Sequence, residues 1–370
     1  MFVDLPLIMM KRRELLKYLA ALSGLSITGC GWKLGNVKAQ ANITGQRDQL
    51  YLFTWTQYTD DKELLKTFTA QTGIKLLADL YESNDIMLAK MLAGGGGAYS
   101  VIYPSDYKVQ EMIDKGLLSE IQRDRLVGVE NLFPQFQNPS YDPNNRYSIP
   151  FTWGTTGFIY NSEALAASPH DWEYLWKNRD LLNRKMTLLN DTREVFGAVL
   201  KMLGYSYNST NESEIKQAYE KLKELKPSLS GFDTDAWRNK ILSGDSLIAM
   251  CYSGDAIKIM KEYPKFKYII PQNGTSLWTD TLVISQNAPN PDGAYAWINY
   301  LLQPEVSAQL TINLSLATPN QASFDLLPKK YQTNTSLFPN EEILKKCERI
   351  SPLGDTDEVY ERYWTQLTSA

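Results

Sequence analysis

The chain has 370 residues, with 38 Lys and Arg against 42 Asp and Glu, one His and a formal net charge of −4. A single imidazole, His170, excludes a His-rich zinc site, and the acid excess excludes nucleic acid as the main partner, because phosphate binding needs a basic surface. One core fills roughly 250–300 residues, so two lobes are expected, and 43% hydrophobic against 22% charged residues excludes wholesale disorder. The 9 Trp, 22 Tyr and 12 Phe in a nearly His-free acidic chain read as a binder rather than a catalyst.

The N-terminus reads as an address. Met10-Lys11-Arg12-Arg13 is basic, and the apolar run over residues 18–27 is shorter than the ~20 residues that span a bilayer, so it reads as an export signal. Arg12-Arg13-Glu14-Leu15-Leu16-Lys17 resembles a twin-arginine signal. Two processing sites compete. Ile27-Thr28-Gly29-Cys30 resembles a lipobox, with Cys30 acylated as the new N-terminus, and Ala39-Gln40-Ala41 is an A-x-A cleavage site. Residues 1–41 are therefore expected to be an export segment and linker. Cys251 and Cys347 are the only other cysteines, too few for a disulfide framework.

From residue 49 strands and helices alternate. Residues 50–53 form an apolar strand, and Asp60-Asp61-Lys62-Glu63 opens a helix with Leu64, Leu65 and Phe68 inward and Gly73 at its end. A strand over 74–80, a helix over 84–93, a strand over 100–103 and a helix over 109–115 follow. This βαβαβ order predicts an α/β fold with a mostly parallel sheet flanked by helices. Residues 151–160 read as a crossover strand. A second α/β run holds strands over 185–189, 247–252 and 268–271, a helix from Asp191, and helices over 212–225 and 235–242. Residues 276–284 read as a second crossover. Two crossovers at a hinge mean two lobes and a cleft between them. Helices over 291–302, 304–313 and 357–367 complete the chain.

In open α/β sheets ligands bind beyond the carboxyl ends of strands. Trp55-Thr56-Gln57-Tyr58 follows the first strand, where the two aromatics either staple the next helix or wall a pocket. Ser105 and Tyr107 follow the third strand, as turn residues or cleft lining. Asp191 and Glu194 fit a capping box at a helix start, yet both also face the cleft. Tyr252 ends a strand of the second run. Trp278 and Asp280 lie on the second crossover, and Asp280, flanked by Leu277, Leu282 and Val283, needs a partner: an internal Arg, backbone N–H groups or a cationic ligand. Three carboxylates, four or five aromatics and only Arg193 as a nearby base suit an extended organic cation, held by charge-assisted hydrogen bonds and cation–π contacts.

Trp55-Thr56-Gln57-Tyr58, Tyr81-Glu82-Ser83-Asn84, Tyr141-Asp142-Pro143-Asn144-Asn145, Tyr147-Ser148-Ile149-Pro150, Trp153-Gly154, Arg193-Glu194-Val195-Phe196, Trp278-Thr279-Asp280 and Thr318-Pro319-Asn320 together carry a resemblance. The chain from residue 49 to 367 resembles the bacterial spermidine/putrescine-binding proteins of ABC transporters, of the type II periplasmic binding fold. The resemblance implies lobe 1 from residues 48–154 plus 279–320 and lobe 2 from 155–278 plus 321–370. It implies an aromatic box of Trp55, Tyr58, Tyr107 and Trp278, one ammonium held by Asp280, and the other amines held by Asp191 and Glu194 beside Ser105. It also implies a polyamine ligand, an ABC permease as partner, a monomer in the periplasm, soluble or anchored through Cys30, and no cofactor, metal or catalytic residue.

Four positions depart from the family pattern. Tyr252 stands where the family usually has Trp, Gln57 replaces a Glu, Leu316 replaces a Tyr, and Arg349 sits where a polar Gln is expected. The ranking of spermidine over putrescine therefore does not follow from the sequence. A smaller amine, or an amino-acid-like cation whose carboxylate Arg349 meets, is the alternative. A secreted glycosidase using Asp191, Glu194 or Asp280 is the remote one, since carboxylates one helical turn apart are not the pair at ~5–9.5 Å across a cleft that glycoside hydrolysis uses.

Overall fold

The computed structural model describes residues 47–369; the export segment, Cys30 and the cleavage site at 39–41 lie outside the described residues. The chain enters through β1 (Gln49–Trp55), then α1 (Lys62–Thr72), β2 (Lys75–Tyr81), α2 (Asn84–Leu92), the two-residue β3 (Val101–Ile102) and α3 (Asp106–Asp114). The capping signals act as the sequence predicts, one residue later for α1: Asp61, not Asp60, accepts from the Leu64 N–H at 3.1 Å, and Gly73 at φ 74° ends the helix in the left-handed region. β2 and β3 both pair parallel with β1.

The crossover strand is longer than the sequence suggests. β4 (Ser148–Asn161) runs 14 residues and is buried at all but its last position, as a strand covered on both faces must be. Beyond it come β5 (Met186–Leu188), α4 (Thr192–Met202), α5 (Glu212–Leu225), β6 (Leu229–Phe232), α6 (Trp237–Ser243), β7 (Ile248–Tyr252), α7 (Ser253–Glu262), β8 (Phe266–Ile269) and β9 (Leu277–Ile284). Helices α8 (Pro291–Leu302), α9 (Pro304–Leu314) and α10 (Asp357–Ser369) follow, with shorter helical turns between them. The strands join in the order β2-β1-β3-β9-β4-β7-β5-β6, with β8 also on β4. β4 pairs with β9 as far as Thr155 and with β7 from Thr156 onward, so it carries the sheet from one half to the other.

Two large cores flank this passage. Leu50, Phe68, Tyr103, Ile149 and Trp297 belong to the first, and Phe158, Trp172, Phe196, Leu222 and Tyr360 to the second. α10 closes the second core, with Tyr360 edge-on to Phe196 at 5.5 Å. Within residues 321–370, Phe324 meets Phe133 at 5.8 Å, Phe338 meets Trp153 at 6.0 Å and Leu337 is buried in the first core, whereas Tyr360 and Leu367 are buried in the second. The carboxyl ends of β1, β3, β5 and β7 lead to Trp55, Ser105, Asp191 and Tyr252, and the first half of β9 carries Trp278 and Asp280.

Candidate functional site

Asp280 is a buried acid of the first half, 5% exposed between Thr279 and Thr281 on β9. β1 ends into a short helical turn, Thr56–Thr59, that turns Tyr58 inward. The Tyr58 hydroxyl donates to Asp280 Oδ2 at 2.7 Å and is also hydrogen-bonded to Thr152. Ser105, just after β3, donates its hydroxyl to Asp280 Oδ1 at 2.8 Å. Asn84 fixes Ser105 in turn, donating to its Oγ at 3.1 Å, accepting from its N–H at 3.1 Å, and donating to the Tyr107 hydroxyl at 3.0 Å. So the partners of Asp280 are hydroxyls, neither the internal Arg nor the backbone N–H groups that the sequence leaves open. Burial raises its pKa to about 7.

Glu194 is the matching acid of the second half, 2% exposed on the first turn of α4. The Asp191 carboxylate caps α4 by accepting from the Glu194 N–H at 3.0 Å. Only half of a capping box forms, because the Glu194 carboxylate turns inward instead. It accepts from Ser276 Oγ at 2.7 Å and from the Tyr207 hydroxyl at 2.9 Å. Burial first, then the neighbouring Asp191, raises Glu194 to about 8. Asp191 is raised as well, chiefly by burial. Among the described residues no Lys, Arg or His lies within ion-pair distance of Asp191, Glu194 or Asp280. Arg193, the expected nearby base, points away: it donates to Asp357, the Ser351 carbonyl and Asn208, each at 3.0 Å.

Aromatic faces stand between these acids. Trp278 meets Tyr252 edge-on at 5.9 Å, and its indole N–H is buried without a partner. Trp278 closes on β4 at Gly154, where a Cβ would sit 2.3 Å from Trp278 Cζ2. Burial raises the Tyr252 hydroxyl well above its ordinary value, and Asp191, Glu194 and Asp280 all add to the rise, so its ring stands in the field of all three acids. Trp55 donates its indole N–H to the Tyr103 carbonyl at 2.8 Å and packs on Tyr81 at 4.5 Å. Tyr107 feels Asp191 and Asp85.

The remaining expected residues scatter. Gln57 is half-buried and Thr56 exposed on the turn. Leu316 is buried behind the site, against Gly254 at the start of α7. Arg349 has partners within the chain. Its Nη1 is 3.0 Å from Asp106 Oδ2 and also donates to Thr279 Oγ1. Side chains alternate along a strand, so Thr279 faces away from Trp278 and Asp280, and Arg349 sits behind the site with its charge matched by Asp106. Burial outweighs that match and leaves Asp106 raised to about 6. Asn84, Thr152, Tyr207 and Ser276 are site residues that the strand-end rule does not single out. Asn84 does lie in one of the matching motifs, and Ser276 heads the second crossover, which is the signal each of them left.

A model of the bacterial extracellular solute-binding protein family matches residues 63–339. The chain is 36% identical to the spermidine/putrescine-binding periplasmic protein of Salmonella typhimurium, over 86% of this chain and 91% of that one. It is 33% identical to spermidine/putrescine-binding periplasmic protein 1 of Haemophilus influenzae, over 95% and 97%. The solved structure of a putative spermidine/putrescine ABC transporter protein from Listeria monocytogenes superposes with a TM-score of 0.81 at 31% identity, covering 86% of this chain and 98% of that one.

Proposed function

The chain belongs to the bacterial extracellular solute-binding proteins, and on that premise we propose that it is a polyamine receptor that hands its ligand to an ABC permease. The observation that carries the reading is a pair of buried carboxylates, Asp280 and Glu194, each supplied with hydroxyl partners and neither with a cation. Leaving such charges uncompensated is costly, and both acids accordingly hold protons more tightly than usual. An ammonium from outside relieves each of them.

A chain of methylenes with an ammonium at each end fits the rest. One ammonium sits on Asp280, beside Tyr58 and Ser105. The other sits on Glu194 and Asp191. The methylenes lie against Trp278, Tyr252, Trp55 and Tyr107, gaining ~0.8 kcal/mol per buried CH₂, and the ammoniums gain ~0.5–2 kcal/mol from each ring face they meet. Because the two acids come from opposite halves of the sheet, both ends are held only when the halves approach. Ligand binding then favours the closed arrangement by population shift. The receptor works outside the cytoplasmic membrane, delivered by the export segment and either released or anchored through Cys30. No helix among the described residues is long and apolar enough to cross a membrane.

Isothermal titration with putrescine, spermidine and spermine tests the reading. Heat with at least one amine is expected, and Asp280→Asn and Glu194→Gln are each expected to weaken binding at least about tenfold, the cost of one charge-assisted contact. No heat with any of the three amines would overturn the polyamine reading, and unchanged affinity in both variants would overturn the site.

A further inference from the structure

The two hydroxyls that hold Glu194 are themselves held by one acid. Glu348 lies between the short helical turn Glu341–Leu344 and α10, and its backbone runs beside the head of β9. Its N–H donates to the Thr275 carbonyl at 2.9 Å, and its carbonyl accepts from the Leu277 N–H at 2.8 Å. Ser276 sits between those two bonds and donates its hydroxyl to Glu194 Oε2 at 2.7 Å. The Glu348 carboxylate reaches the other way, to the loop after α4. Its Oε2 accepts from the Ser206 hydroxyl at 2.6 Å and from the Tyr207 N–H at 3.2 Å, and its Oε1 pairs with Lys201 of α4. The neighbouring backbone adds to the same seam: the Arg349 carbonyl accepts from Asn208 Nδ2, and the Ser351 N–H donates to Asn208 Oδ1, each at 2.8 Å. Tyr207 is fully buried with its ring against α4 at Gly197, where a Cβ would sit 1.9 Å from Tyr207 Cε1. From that seat its hydroxyl lies 2.9 Å from both the carbonyl oxygen and Oε2 of Glu194.

Resting on the polyamine reading, we propose that Glu348 is a positioning residue of the amine site: it sets the hydroxyls of Tyr207 and Ser276 so that Glu194 presents its carboxylate to an ammonium in one orientation. Ser276 is placed through the Glu348 backbone and Tyr207 through the Glu348 carboxylate. A carboxylate already fixed by its donors loses less conformational freedom when a ligand arrives, and that saving appears as affinity. Without the Glu348 oxygen the Tyr207 N–H has no acceptor, the 206–208 loop loosens, and the Tyr207 hydroxyl no longer holds Glu194. The Glu348 charge is matched by Lys201, and both side chains are largely buried. The role is therefore one of geometry, and an uncharged oxygen in the same place performs it.

Isothermal titration of the purified chain with putrescine and spermidine, beside melting curves, tests this. Glu348→Ala and Tyr207→Phe are each expected to weaken amine binding about tenfold, the scale of one hydrogen bond to a charged group. Their double variant is expected to bind no more weakly than either single one, because both remove the same contact. Glu348→Gln keeps an oxygen for Ser206 and Tyr207. Combined with Lys201→Met, so that no cation is left unpaired, it is expected to bind within about twofold of wild type. If Glu348→Ala does not fold, Glu348→Asp, one methylene short of the Tyr207 N–H, carries the same expectation. Wild-type affinity in a Glu348→Ala chain that merely melts earlier would make Glu348 a structural ion pair and overturn the assignment. So would losses that multiply in the double variant, or a Glu348→Gln, Lys201→Met chain that binds as weakly as Glu348→Ala. The wild-type titration separates the two levels: a wild type that binds neither amine fells the polyamine reading itself, whereas intact wild-type binding with an unmoved Glu348→Ala fells only the role of Glu348.

Discussion

Buried charge at Asp280 and Glu194 is handled differently from that at Asp106. Asp280 and Glu194 keep hydroxyl partners and no cation, while Asp106, 1% exposed, has Arg349. Removing one partner of a buried pair is more damaging than never having built it, typically by ~3–5 kcal/mol, because the other charge is left in a poor solvent. Arg349→Met is therefore expected to lower the melting temperature markedly, and adding Asp106→Leu to the same chain to recover much of the loss. Thermal unfolding of wild type, single and double variants checks this; a double variant less stable than Arg349→Met alone would refute the pairing. The sequence exposes Asp280 because an acid inside Leu-Trp-Thr-Asp-Thr-Leu-Val is conspicuous. It marks Ser276 only as the head of a crossover and says nothing of Tyr207; the contacts of both to Glu194 are made by the fold and leave no periodic trace. Arg349 illustrates the same limit: its position is readable, but which of two faces of β9 it approaches is not.

At the scale of the element, α4 does two jobs with one turn. Asp191 caps the helix through its carboxylate, and the same carboxylate is one of the three acids around Tyr252. Asn caps a helix about as well as Asp but carries no charge, so substitution can separate the two jobs. Asp191→Asn is expected to keep the wild-type melting temperature while weakening amine binding, and Asp191→Ala to weaken binding and also cost ~1 kcal/mol of stability. Paired melting and titration curves for the two variants decide it; equal stability in both would mean that the cap contributes nothing. The helices were legible for this reason: α1, α2 and α4 announce themselves by a capping residue and an apolar face of helical period. Strands were less so. β3 is only two residues long, and β6, Leu229-Ser230-Gly231-Phe232, has neither alternation nor a β-branched residue; its pairing with β5 comes from the sheet, with an irregular register at Met186–Thr187.

For the whole molecule, the unpaired acids link stability, pH and ligand. Glu194 and Asp280 bind protons more tightly in the folded chain than the ordinary carboxylate values near 4 in the unfolded chain. Folded protein therefore holds more protons than unfolded protein between those limits, and stability falls as pH rises through that window. The contribution is fully present below about pH 4, and it is lost by the time pH has passed about 7 for Asp280 and about 8 for Glu194. Asp106, raised to about 6, and Asp191, raised as well, act in the same direction. The ligand-free chain is thus expected to melt at a lower temperature at pH 8 than at pH 5.5. A dication reverses the trend, because it favours the ionised acids: its affinity rises across the same window, and at about a hundred times its Kd it adds ~2.7 kcal/mol to stability. The melting temperature with saturating putrescine should consequently depend on pH much less than without it, and the double variant Glu194→Gln, Asp280→Asn should flatten the ligand-free curve on its own. Melting curves at four or five pH values, with and without putrescine, measure all three. A ligand-free melting temperature that climbs from pH 5.5 to pH 8 would mean that these acids are compensated within the folded chain and have no need of a cation from outside.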